Sequence, residues 1–129
     1  MQRVSTCLWF DEQAQGAADF YVSLFPNSRI LVTKYYLEGS PRPAGSVLTG
    51  QFTLDGTEYV ALDGGPHFKF SPAVSLVANC STQEEVDTLW RKLSEGGQEG
   101  QCGWLTDKYG VSWQIVPREL LKLLNTPVR

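Results

Sequence analysis

The chain breaks near its midpoint at Gly64-Gly65-Pro66, and the same order of elements is written on both sides of that break. On the first side, Val4 to Phe10 reads as a short strand. Asp11 then opens a helix in which Ala14, Ala17, Ala18, Tyr21 and Leu24 recur at helical spacing. Pro26 ends it, because proline cannot continue the hydrogen-bond ladder and pushes Phe25 out of the helical region. Arg29 to Leu37 is β-branched and aromatic, a second strand. The stretch from Glu38 to Gly45 carries two prolines and two glycines and reads as a loop. Val47 to Leu54 and Glu58 to Leu62 flank Asp55-Gly56, a strong hairpin signal.

After the break the pattern begins again. Ala73 to Cys80 is a strand, and Ser81-Thr82 followed by Glu84-Glu85 makes a capping box. The helix runs through Val86, Leu89, Trp90 and Leu93 and stops at Gly96-Gly97. A glycine- and glutamine-rich stretch leads to Trp104-Leu105, and Val111 to Val116 is a last strand. Pro117 suits the first turn of a closing helix over about 118–125, with Leu120, Leu121 and Leu124 on its apolar face. Phe20-Tyr21 sits where Leu89-Trp90 sits in the second copy, an offset of 69, and Tyr59 after Asp55-Gly56 echoes Trp113 after Tyr109-Gly110. Each copy alone exposes one face of its sheet, so the two are expected to pack together. The expectation is a pseudo-duplicated α+β domain over 1–129, with module one over about 1–66 and module two over about 67–117.

At 129 residues the chain holds one ordinary domain, large enough to fold without a disulfide or metal staple. Fourteen acids against eleven bases give a net charge of −3, which argues against nucleic-acid and anionic-membrane partners. No run reaches the ~18 apolar residues of a membrane helix, and no basic segment followed by an apolar one opens the chain. The reactive inventory is thin: one histidine, His67, and three scattered cysteines, Cys7, Cys80 and Cys102. An odd cysteine count without CxxC spacing fits neither a disulfide framework nor a zinc cluster, and points to a reduced, cytoplasmic protein. No histidine or cation stands near any of the three in sequence to lower a thiol pKa, so all three are expected to be buried and inert.

A βαβββ unit used twice resembles the vicinal oxygen chelate superfamily, which includes glyoxalase I, extradiol dioxygenases and bleomycin-resistance proteins. Within it the chain resembles the PhnB-like family. The residues that carry the likeness are Trp9-Phe10, Ala17-Ala18-Asp19-Phe20-Tyr21, Phe25-Pro26-Asn27-Ser28, Ala61 to Pro66, and above all the block from Cys102 to Pro117. The resemblance implies two curved mixed sheets around a cavity, and a homodimer. Its common label is demethylubiquinone methyltransferase. The first strand runs into Asp11-Glu12-Gln13 rather than the glycine-rich turn that S-adenosylmethionine enzymes of the usual type place there.

Superfamily enzymes hold a divalent metal through inward-facing histidine, glutamate and glutamine ligands, two from each module. In the family pattern the first ligand of a module lies fourteen residues before the helix aromatic pair, which gives Thr6 and Ser75. The second lies four residues after the turn glycine, which gives Gln114 after Gly110, and Val60 after Gly56 or Ala61 by a one-residue slip. Glu58 would share the Val60 face. Of these positions only Gln114 offers a plausible ligand, so the resemblance implies no conventional metal and no other cofactor. If a metal is held at all, Gln114 and Glu58 are its candidates, with Asp63 or His67 in reserve.

Strand alternation sets Thr49, Gln51 and Thr53 against Leu48, Phe52 and Leu54, and sets Ser112 and Gln114 against Val111, Trp113 and Ile115. Thr6, Gln51, Ser75 and Gln114 are therefore expected to converge on the cavity, with Trp9 and Trp104 at its mouth and Glu58 beside them. Uncharged hydrogen-bonding groups suit a small neutral or weakly polar ligand. The alternative from another class is a metal-dependent lyase, isomerase or dioxygenase with an atypical ligand set. The methyltransferase of the label is the third.

Overall fold

The computed structural model describes residues 2–118; the closing helix expected over about 118–125 lies outside these but for its first residue. The chain divides into two compact units that meet between Lys69 and Phe70. In the first, β1 (Thr6–Phe10) and α1 (Ala14–Leu24) are followed by β2 (Arg29–Tyr35), β3 (Val47–Leu54) and β4 (Thr57–Asp63). In the second, β5 (Ser75–Cys80) and α2 (Gln83–Ser94) are followed by β6 (Gln98–Glu99), β7 (Trp104–Thr106) and β8 (Ser112–Pro117). Each unit holds one mixed four-stranded sheet, ordered β1-β4-β3-β2 and β5-β8-β7-β6, and among the described residues its one parallel pair joins its first strand to its last. The two βαβββ units are thus the same topology written twice. Both β6 and β7 are too short for hydrophobic periodicity to reveal them.

Local chemistry explains the boundaries. The β3–β4 turn has Asp55 at φ 47° and Gly56 at φ 82°, the left-handed pair that a two-residue hairpin needs. α2 starts where expected: the Thr82 hydroxyl accepts from the Glu85 amide at 3.1 Å. α1 starts three residues later than Asp11. Glu12 is left-handed (φ 62°), so Asp11 to Gln13 form a turn, and Gln13 supplies no side-chain cap. The cap comes from across the sheet instead, where the buried Asp63 carboxylate accepts from the Ala14 amide at 2.8 Å.

In the first unit α1 lays Ala14, Ala17, Ala18 and Tyr21 against the sheet. Alanines let the helix approach closely, and fully buried Tyr21 meets Phe52, which stacks on Tyr59 at 5.5 Å. Burying aromatic side chains of this kind stabilises by roughly 1.5–3 kcal/mol each. In the second unit Leu89 and Leu93 of α2 are the buried helix residues, and Ala78, Leu105, Trp113 and Ile115 are buried in the sheet. The offset of 69 fails here. It would match Tyr21 with Trp90, but Trp90 is half-buried and its indole N–H donates to Glu99.

Buried Asp107 organises the β7–β8 turn. Its Oδ1 accepts from the amides of Tyr109 at 2.8 Å and Val111 at 3.0 Å, and its Oδ2 accepts from the Trp113 indole N–H at 2.9 Å.

Candidate functional site

Each sheet has one face against its helix and one face without a helix, called here the open face. Residues paired laterally point the same way, so the pairing register decides which side chains the open face carries. In the first unit Phe52, whose ring meets Tyr21 of α1, pairs with Tyr59, and Tyr59 pairs with Thr6. Thr6 therefore lies on the helix side with Leu8 and Phe10. The neighbouring row crosses the open face as Cys7, Val60, Gln51 and Val32. A one-residue slip thus replaces Thr6 by Cys7, because the aromatic-pair offset from which Thr6 follows does not hold in the fold. The ambiguity on the fourth strand also resolves: Glu58 and Val60 share the open face, and fully buried Ala61 faces the helix.

Two of the open-face residues already have structural work. The Glu58 carboxylate accepts from the Gln2 amide at 2.8 Å, while the Glu58 amide donates to the Gln2 side chain at 3.0 Å. Trp9 donates its indole N–H to the Gly65 carbonyl at 2.9 Å and meets Phe68 edge to face at 5.0 Å. A Cβ on Gly64 would stand 2.3 Å from the Trp9 ring, so glycine alone fits beneath it. Asp63 is turned to the helix side as the α1 cap. Burial raises its carboxyl pKa, against the lowering effect of the Ala14 amide and the Arg42 guanidinium. His67 is exposed beside Gly65.

In the second unit the register sets Ser75, Val77 and Asn79 of β5 beside Ser112, Gln114 and Val116 of β8 on the open face. Trp104 pairs with Gln114 and Thr106 with Ser112. The structure brings Ser75 and Gln114 together: the Gln114 Nε2 donates to the Ser75 hydroxyl at 2.9 Å. Beside them opens a cleft of about 190 Å³ whose walls include Trp104, Thr106, Gln98, Ser112 and Pro72. Gln98 and Thr106 escape a sequence reading because they sit on strands of two and three residues.

These residues do not fit a divalent metal of the superfamily kind. The rows nearest the expected ligand positions are Cys7-Val60-Gln51 and Val77-Gln114-Trp104, which offer two neutral amides and a thiol held protonated by a desolvated, raised pKa. Hard divalent ions bind such neutral sets weakly. The Glu58 carboxylate is engaged by Gln2, and among the described residues no group of three or more His, Cys, Asp or Glu side chains gathers to hold a metal ion. The cysteines differ from the expected buried set. Cys80 is buried, and burial pushes its thiol pKa up, but Cys7 and Cys102 are exposed.

A family model described as 3-demethylubiquinone-9 3-methyltransferase matches residues 2–116. A Bacillus cereus PhnB protein, also described as a 3-demethylubiquinone-9 3-methyltransferase, is 38% identical over 90% of this chain and 99% of its own, with a TM-score of 0.80. A Pseudomonas aeruginosa protein shares the fold at TM-score 0.71 and 18% identity, over 91% of this chain and 98% of its own. The fosfomycin resistance protein FosX of Listeria monocytogenes shares it at TM-score 0.65 and 13% identity, over 97% and 98%. No curated protein matches the sequence. No helix among the described residues is long and apolar enough to cross a membrane.

Proposed function

The chain belongs to the 3-demethylubiquinone-9 3-methyltransferase family of PhnB-like proteins, with the vicinal oxygen chelate fold, and from that premise we propose that it binds a small neutral or weakly polar molecule without a catalytic metal. The observation that carries this reading is the neutral donor set of the second open face. There the Gln114 amide is tied to Ser75 beside a cleft whose walls include the Trp104 indole and the uncharged polar side chains of Gln98, Thr106 and Ser112. Such a surface offers hydrogen bonds and stacking to a ligand but little charge to a metal ion. We further propose a cytoplasmic homodimer that takes a small-molecule partner and binds neither nucleic acid nor membrane.

Native mass spectrometry and metal analysis of the purified protein test the reading together. A non-covalent small-molecule adduct with substoichiometric divalent metal is expected. Stoichiometric metal that drops out in Gln114→Ala would overturn it in favour of a metal-dependent lyase, isomerase or dioxygenase. Micromolar S-adenosylmethionine binding by calorimetry would instead support the methyltransferase that the family description suggests. For the dimer, gel filtration giving only a 14.4 kDa species would be the refuting result.

A further inference from the structure

Three uncharged polar side chains line up across the open face of the second sheet. Gln98 pairs with Thr106, and Thr106 pairs with Ser112, so the three form one lateral row on β6, β7 and β8. All three line the cleft. Ser112 is only 3% exposed, yet its hydroxyl has no hydrogen-bond partner among the described residues, nor do the side chains of Thr106 and Gln98. Open to the cleft and without a partner from the fold, these three side chains offer their hydrogen-bonding capacity to whatever occupies it.

The walls describe that partner. Trp104 and Pro72 supply an apolar side, and the polar row supplies one edge. The ionisable side chain in the lining, Glu99, belongs to the face of β6 opposite Gln98, in register with Leu105, and its carboxylate accepts the Trp90 indole N–H. The volume of about 190 Å³ is a little above the ~150 Å³ of an engineered cavity that holds benzene, so one ring fills the cleft. Neighbouring strands stand about 4.8 Å apart, close to the span between meta-related polar substituents on a six-membered ring. The wall is preformed, because the Gly100 amide donates to the Trp104 carbonyl at 2.9 Å and the Ile115 amide to the Gly103 carbonyl at 2.8 Å, fixing the hairpin across its ends.

We infer that this cleft binds an uncharged monocyclic ring through two meta-related polar groups, its face against Trp104 and its polar edge on Thr106 and Ser112, with Gln98 closing the row. This rests on the small-molecule reading above and narrows it to a ligand class and to residues not implied by the family pattern. The test uses the full chain and two uncharged probes, uracil and resorcinol, with benzoate as the charged control and 2-naphthol as the size control. Amide and indole shifts in two-dimensional NMR are expected at Trp104, Thr106 and Ser112 with millimolar or tighter affinity for the neutral monocycles, and little response to either control. Thr106→Val with Ser112→Ala should weaken binding at least roughly tenfold, the value of about one hydrogen bond.

Because the Ser112 hydroxyl has no partner in the fold, Ser112→Ala should leave thermal stability unchanged or raise it, and a clear loss would overturn the assignment. So would silence of both monocyclic probes, or equal binding of benzoate or 2-naphthol. A co-purified ligand whose retention depends on Gln114 or Gln51 and is indifferent to Ser112 would overturn this assignment while leaving the small-molecule reading standing. Absence of both a co-purified ligand and any probe binding would remove the two together.

Discussion

Replacing Asp107 by asparagine removes a charge and turns an acceptor oxygen into a donor, and the geometry predicts what that does. In the wild type, Oδ1 takes the amides of Tyr109 and Val111, and Oδ2 takes the Trp113 indole N–H at 2.9 Å. An asparagine that keeps its oxygen on the two backbone amides must aim its NH₂ at the indole N–H. One charge-assisted hydrogen bond is lost and two donors are left opposed in a buried site, a loss of about 3 kcal/mol. Alanine strands all three donors, for about 4–5 kcal/mol. Asp63→Asn is the internal control: its Oδ1 accepts the Ala14 amide, which an amide oxygen serves as well, so the change should stay within about 1 kcal/mol. For a chain of this length Asp107→Asn should lower Tm by roughly 10 °C and Asp63→Asn by no more than a few degrees. Urea titrations followed by tryptophan fluorescence would measure both. If the two asparagine variants are equally stable, the donor-counting argument fails.

Asp63 also makes a pH prediction. Burial raises its folded pKa above the unfolded value of about 3.8, so the folded state holds its proton more tightly. Its contribution is fully present below that unfolded value and declines as pH rises through the raised folded one. Acidification should therefore cost the wild type less stability than Asp63→Asn, visible as a widening Tm gap toward acid pH; a constant gap would contradict it. Gly64→Ala should destabilise by about 2–3 kcal/mol and alter Trp9 fluorescence, because the new methyl meets the indole ring; an unchanged denaturation midpoint would refute this. Thr82→Ala should lose about 1 kcal/mol and speed amide exchange at Glu85, with no change in exchange refuting the cap. A thiol reagent should modify Cys7 and Cys102 in the native state, the reaction at Cys7 slowed by its raised thiol pKa, while Cys80 reacts only after denaturation.

Where a local pattern carried the information, the sequence was legible. Asp55-Gly56 announces a left-handed two-residue turn, Thr82 with Glu84 and Glu85 announces a helix start, and the alternation in β8 correctly sets Ser112 and Gln114 opposite Trp113 and Ile115. The reading weakened where position had to be carried from one copy to the other. Tyr21 is buried against Phe52 while Trp90 turns outward to Glu99, so the aromatic pairs are not equivalent and the offset built on them misplaces the first strand by one residue. On a strand one residue is enough to cross from face to face, hence Cys7 rather than Thr6 on the open side.

The amino-acid sequence by itself determined the duplication, the turn and capping chemistry, and the neutral character of Gln51, Ser75 and Gln114, because these depend on residue identity and on neighbours a few positions away. Only the tertiary structure decided which side chains share a face, that Asp63 caps a helix starting 49 residues before it, and that Ser75 meets Gln114 across 39 residues. It also decided that Gln98, Thr106 and Ser112 form one row over a cleft. A strand carries a period of two but no origin of its own. Its register, and with it the surface it offers a ligand, is set by the strand that hydrogen-bonds to it.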